Sequence, residues 1–383
     1  MSNFAQNNEM ASKKRIIVSV TNDLITDQRV HRTCTTLTNE GFDIILVGRQ
    51  LNPRFSVKRA YSTKRFKLPI NNGPLFYALY NLRLFAFLLL NKADILLSND
   101  LDTLPANYLA SRIKGCKLIY DSHEYFCHVP ELTDRPFVQN VWLAIERWIF
   151  PKLKNVITVN EVIAQLYYNE YHVDIHVIRN LPFSIPENII NDLLSKKDLG
   201  IPEGKLIVYQ GAVNKDRGLE EAAMAMQYVP GAILLIIGDG DIMQALRKLI
   251  QEEKLSDQVI LIGKIHFEEL YNYTVLADLG IALEKNTNLN YKYSLSNKLF
   301  DYIHASIPIL SSSLPGSKKL FEKYDIGLII SDHSPRSIAT KMESMLNDQN
   351  QIGVWKKNIK KAAQEFCWEN EEKKLISIMK HIN

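Results

Sequence analysis

The 383-residue sequence holds only four cysteines, Cys34, Cys116, Cys127 and Cys367, spread far apart with no CxxC pair. That spacing excludes a zinc ribbon or a disulfide framework and fits a reducing, cytoplasmic compartment. Charge of one sign is also missing. The chain has 46 Lys and Arg against 42 Asp and Glu, a net +4 that is too mild to indicate a nucleic-acid partner. The N-terminus, MSNFAQNNEMASKKR, lacks an apolar signal region, so residues 1–14 read as a disordered polar tail. Long hydrophobic runs are scarce. PLFYALYNLRLFAFLLL (Pro74–Leu90) comes nearest to a membrane span, but Asn81 and Arg83 interrupt it and it is short for a bilayer, so it reads as a buried or interfacial helix. The glycine-bearing stretch YQGAVNKDRGLEEAA (Tyr209–Ala223) is neither a GxGxxG fingerprint nor a GxxxxGKS/T P-loop, which weighs against dinucleotide redox chemistry and ATP hydrolysis.

What the sequence does contain is alternation. Short apolar runs alternate with longer amphipathic segments, the pattern of strand–helix units in a parallel α/β sheet. The length favours two domains. Strands are expected at Arg15–Val20, Asp43–Val47, Asp94–Ser98, Lys117–Tyr120, Val156–Val159 and His176–Ile178 in the first half. The second half repeats the pattern at Leu206–Tyr209, Ile233–Ile237, Gln258–Ile262, Leu279–Leu283, Ile307–Leu310 and Gly327–Ile330. A polar, proline-bearing stretch lies between them, so residues 15–180 and 205–364 read as two doubly wound domains and 181–204 as the linker.

In such sheets ligands gather at the carboxyl ends of the strands. The stretch SLSNKLFDYIHASIP (Ser294–Pro308) there combines Ser294 or Ser296 as a cap, the adjacent Asn297, free first-turn amides, and the charge of Lys298. These make a phosphate site, and Asp301 beside it suits the two hydroxyls of a ribose. A capped, solvated surface helix is the plainer alternative. In YQGAVNKDRGLEEAA (Tyr209–Ala223), Gly211 permits close backbone approach and Arg217 can hold a diphosphate. Two D-x-D triplets occur, Asp100–Asp102 and Asp239–Asp241; helix capping by Asp100 and a glycine turn at Asp239 explain them without a metal. Lys58, Arg59, Lys64, Arg65 and Lys67, interleaved with Phe55, Tyr61 and Phe66, form either a solvated loop or a patch for an anionic membrane surface. His31, His266 and His304, and Trp142, Trp148, Trp355 and Trp368, read as helix and core residues.

VTNDLITDQRVHR, NDLDTLPA, YDSHEYF, YQGAVNKDRGLEEA, IIGDGD and SLSNKLFDYIHASIPIL together resemble the family 4 glycosyltransferases, bacterial surface-polysaccharide type, over nearly the whole chain. The resemblance implies the GT-B fold, two Rossmann-like domains facing across a cleft, with residues 365–383 as a helix crossing back to the first domain. It implies a nucleotide-sugar donor held by Gly211, Arg217, Glu284, Ser294, Ser296, Asn297, Lys298 and Asp301. A glycan or lipid-linked acceptor would meet Asp27, Gln28, Arg29, Asp121 and Glu124, with His123, Arg217 and Lys298 as catalytic groups. No cofactor or metal is expected, and the expected place of work is the cytoplasm, with the inner face of the plasma membrane as an alternative station reached through residues 58–90. The chain departs from the family pattern at Tyr293, where a sugar-binding glutamate is usual, with Glu284 as a substitute; at Ala212, where an arginine is usual; and at Ser306, where a glycine is common and a packing change is expected. A sugar-nucleotide epimerase of the same fold and a non-catalytic nucleotide-sugar-binding partner remain the alternatives.

Overall fold

Two all-parallel sheets absorb the apolar runs. The computed structural model describes residues 13–25, 27–51, 57–185 and 194–382. The expected tail up to residue 12, Phe55, and residues 186–193 of the expected linker lie outside the described residues. In the first sheet β1 (Arg15–Ser19), β2 (Asp43–Arg49), β3 (Ser62–Phe66), β4 (Ile95–Asn99), β5 (Lys117–Ser122), β6 (Val156–Thr158) and β7 (Ile175–Val177) run in the order β3-β2-β1-β4-β5-β6-β7. The second holds β8 (Lys205–Gln210), β9 (Ala232–Ile237), β10 (Val259–Gly263), β11 (Leu279–Ala282), β12 (Ile309–Ser312) and β13 (Gly327–Ile330), ordered β10-β9-β8-β11-β12-β13. Every residue of β4 and β9 is buried, as expected of strands covered by helices on both faces.

β3 is a departure from the sequence reading, which saw a basic loop there. Its residues STKRF alternate exposed and inward on a sheet edge, pairing with β2 in register Ile45↔Ser62 to Arg49↔Phe66. An edge strand tolerates outward charges, so its sequence carries no apolar run. The following helix, Gly73–Leu90, buries only Phe76, Tyr80, Leu84 and Leu88. Leu75, Leu82 and Leu90 stand exposed, and among the described residues this is the one helix long and apolar enough to cross a membrane.

The chain passes between the sheets twice at nearly one place. Phe366 packs in the core of the second domain, whereas Trp368, Leu375, Met379 and Ile382, from the helix Trp368–Ile382, pack with Ile16, Val18 and Ile44 of the first. Trp368 donates its backbone N–H to Pro182 and its indole N–H to Thr36, while buried Glu371 accepts from the Arg179 backbone. The outgoing and returning segments therefore brace each other.

Candidate active site

The strand ends of both sheets line one cavity of about 580 Å³. On the second-domain side, β8 ends at Gln210 and Gly211, whose φ of +123° favours glycine. A Cβ on Gly238, at the end of β9, would lie 1.8 Å from the Gly211 carbonyl, so these two loops meet backbone to backbone. Glu284 follows β11 and is buried. One of its oxygens accepts from three donors: Lys298 Nζ, Arg217 Nη1 at 3.1 Å and Ser296 Oγ at 3.0 Å. Burial would raise its pKa, but Lys298 and Arg217 outweigh burial and hold it at about 2. Each cation also lies over an aromatic ring, Lys298 on Tyr209 at 4.9 Å and Arg217 on Tyr291 at 4.4 Å. Two flexible cations are thus pinned side by side at the start of the helix Asn297–His304. One turn on, Asp301 accepts from Gln210 Nε2 at 2.8 Å, and burial raises its carboxyl to about 6.

The first-domain side is built around His123, after β5. Its backbone N–H donates to Asp100 Oδ1 at 2.8 Å, and its ring nitrogens face Asp100 Oδ2 and Asp121 Oδ2, each at 3.4 Å. Nε2 also lies 3.0 Å from Asn99 Oδ1. Burial alone would discharge the ring; the two carboxylates overcome it and raise the pKa to about 9. His123 is therefore an imidazolium at neutral pH. Glu124 moves the other way: burial, then Asp100, lifts its carboxyl to about 8. It accepts from Asn290 Nδ2 at 3.1 Å, and Asn290 Oδ1 in turn accepts the Tyr125 N–H, so one side chain of the second domain ties to the first.

All the expected site residues line this cavity except Asp121 and Glu284. Several roles need correction. Asp121 and Arg29 form a buried two-pronged pair, Oδ2 accepting from Nε at 3.1 Å and Oδ1 from Nη2 at 2.7 Å, so Asp121 braces His123 rather than meeting an acceptor and holds Arg29 at the cavity wall. Asp27 caps the helix Gln28–Asn39 through Val30 N–H, its other oxygen held by Asn22. Glu284 does not face the cavity; it organises Lys298 and Arg217. Ser296 occupies the N-cap position, but its hydroxyl goes to Glu284 instead of the helix amides. Tyr293 packs against the first-domain core, its carbonyl accepting from Asn160 at 3.1 Å, so it is a contact between domains. Asp100 does not cap a helix: it sits at φ +57° and holds His123. Trp148 is exposed, not core.

Sequence reasoning missed Arg32 and Asn290. Arg32 lines the cavity one helical turn beyond Gln28 and its charge opposes that of Asp301 across the cleft, which the i, i+4 spacing could have revealed. Nothing local marks Asn290.

Two parallel-sheet α/β domains whose strand ends share one cleft are the GT-B architecture. The family model for Glycosyl transferases group 1 matches residues 192–362, and that for Glycosyltransferase Family 4 matches residues 27–181. The chain belongs to the family 4 glycosyltransferases. It is 22% identical over 249 residues to an uncharacterized glycosyltransferase of Methanocaldococcus jannaschii, spanning 62% of this chain and 61% of that relative's length. Among solved structures, sucrose-phosphate synthase from Thermosynechococcus elongatus superposes with a TM-score of 0.80 at 15% identity, covering 97% of this chain and 99% of that one. Anabaena HepE in complex with UDP-glucose gives 0.72 at 14% identity, covering 96% and 99%. WaaG, a glycosyltransferase involved in lipopolysaccharide biosynthesis, gives 0.71 at 14% identity, covering 95% and 99%.

Proposed function

We propose that the protein transfers a glycosyl group from a nucleoside diphosphate sugar to an acceptor hydroxyl, without a metal ion and with retention of anomeric configuration, in the assembly of a cell-surface glycan. The observation that carries this reading is the Lys298–Glu284–Arg217 cluster at the start of a helix, with Asp301 one turn away. A diphosphate entering beside the cluster would meet two pinned cations, and the ribose hydroxyls would donate to Asp301. HepE, bound to UDP-glucose, supports this donor class by fold.

In the transfer step the acceptor oxygen bonds to the anomeric carbon while the bond from that carbon to the β-phosphate oxygen breaks. The electron pair leaves with the diphosphate, and the acceptor proton passes to a diphosphate oxygen. Lys298 and Arg217 stabilise the charge that develops there, which is where preorganised donors lower a barrier most. His123, its two ring nitrogens held by Asp100, Asp121 and Asn99, presents its positive charge to the sugar from the opposite wall, and Gln28 and Glu124 hold the acceptor.

The test uses a panel of nucleotide sugars, calorimetry and turnover. We expect Lys298→Ala and Arg217→Ala to fold and to lose turnover by roughly 100- to 1,000-fold. Asp301→Ala should weaken nucleoside diphosphate binding. Wild-type turnover in both cation variants, or unchanged nucleotide affinity in Asp301→Ala, would overturn the assignment.

A further inference from the structure

A second cavity, of about 740 Å³, opens beside the first and shares Glu124, Arg217, Asn290 and Tyr291 with it. Its chemistry is different. Beyond that shared end its walls are largely apolar: Tyr77 from the helix Gly73–Leu90, Phe126 and Leu132 from the segment after β5, and Val138, Val141 and Trp142 from the helix Pro136–Ile149. Trp142 is fixed edge-on by Tyr77 at 5.2 Å and by Phe126 at 5.3 Å, so the wall is rigid. Asp100, Asp102 and Glu124 cluster at the end nearest the donor cleft. At the rim Phe137 is 79% exposed and Val141 45% exposed. A site for a free sugar would be lined with hydrogen-bonding groups throughout; this one has them at its inner end, where Asn81 joins Asp102, and in exposed Glu131 and Arg135, while the wall between is apolar.

The helix that supplies Tyr77 to this wall turns a second face outward, where Leu79, Leu82 and Leu89 surround Arg83. Arg83 donates to the carbonyl of exposed Lys67, on the segment just before that helix. Exposed leucines with a basic rim fit the boundary of an anionic bilayer.

We propose that this cavity receives the apolar chain of the glycosyl acceptor, a membrane-borne amphiphile whose hydroxyl-bearing headgroup meets Glu124 where the two cavities join. The inference rests on the glycosyltransferase reading and narrows its acceptor to one chemical class. The chain enters past Phe137 and Val141 while the leucine face of the neighbouring helix rests on the lipid surface.

The full chain would be titrated with glucose and with octyl, decyl and dodecyl β-glucosides below their micellar concentrations, alongside UDP and phosphatidylglycerol vesicles. Affinity should rise by about fourfold for each methylene that enters the cavity, from a transfer free energy near 0.8 kcal/mol per CH₂, while glucose alone binds weakly. Val141→Asp should abolish the chain-length dependence, as should Val141→Trp, which fills the cavity without adding charge; both should bind UDP as the wild type does. Affinity independent of chain length, or a chain-length dependence surviving in both UDP-competent variants, would overturn the proposal. Chain-length dependence without any vesicle binding would overturn the membrane-borne acceptor in favour of a soluble apolar one. Failure of UDP to bind the wild type would instead count against the glycosyltransferase reading itself.

Discussion

His123 owes its charge to Asp100 and Asp121, and that debt has a sign that can be measured. Its pKa rises from 6.5 to about 9 on folding, so the folded state binds the proton more tightly than the unfolded chain. The resulting stability is fully present below pH 6.5 and is lost as pH rises through about 9. Urea midpoints measured across that window should fall, and His123→Gln should flatten the upper part of the decline; an equally steep decline in the variant would show that other groups carry it. At this scale residue types were legible and partnerships were not. The acidic groups Asp121 and Glu284 were both recognised at strand ends. Which cations they hold depends on pairs far apart in sequence: Arg29 and Asp121 are 92 positions apart, Arg217 and Glu284 67. A carboxylate that braces a cation and one that meets a substrate look alike in sequence.

Among the elements, the helix Asn297–His304 shows how backbone geometry can pass for packing. Its C-terminus closes with Ser306 N–H to Ile303 O at 3.1 Å and Ile307 N–H to Tyr302 O at 3.2 Å, a Schellman closure that places Ser306 at φ +58°. Glycine is favoured there because a side chain in the left-handed region costs on the order of 1 kcal/mol. Ser306 is therefore a backbone matter rather than the expected packing change. Ser306→Gly should stabilise the protein by about 1 kcal/mol, read as a rise in the urea midpoint at unchanged slope; a lower midpoint would refute this. Buried strands were legible because a parallel sheet covered on both faces needs unbroken apolar runs. β3 was not, because its charged edge residues answer to solvent as well as to the core.

For the whole molecule, the two sheets and their order follow from repeated strand–helix units, whereas the faces left uncovered do not. The basic cluster divides once folded. Arg65 pairs with Asp23 at 2.9 Å, while Lys64 and Lys67 stand exposed. Each exposed lysine near an anionic surface contributes about 1 kcal/mol, so Lys64→Gln with Lys67→Gln should weaken binding to phosphatidylglycerol vesicles by roughly thirtyfold at low salt. Cosedimentation as strong as wild type would remove these residues from any lipid contact.

The returning helix Trp368–Ile382 has a consequence for how the molecule comes into being. Domains made first on the ribosome ordinarily fold first. Here Trp368, Leu375, Met379 and Ile382 fill the same core as Ile16 and Val18, so the domain begun first is finished only after residues 368–382 have been synthesised. The second domain holds its own core through Phe366 and can close earlier. The first-domain half of the cleft thus stays unfinished while the second is already built, and the two walls become a site only when residues 368–382 dock.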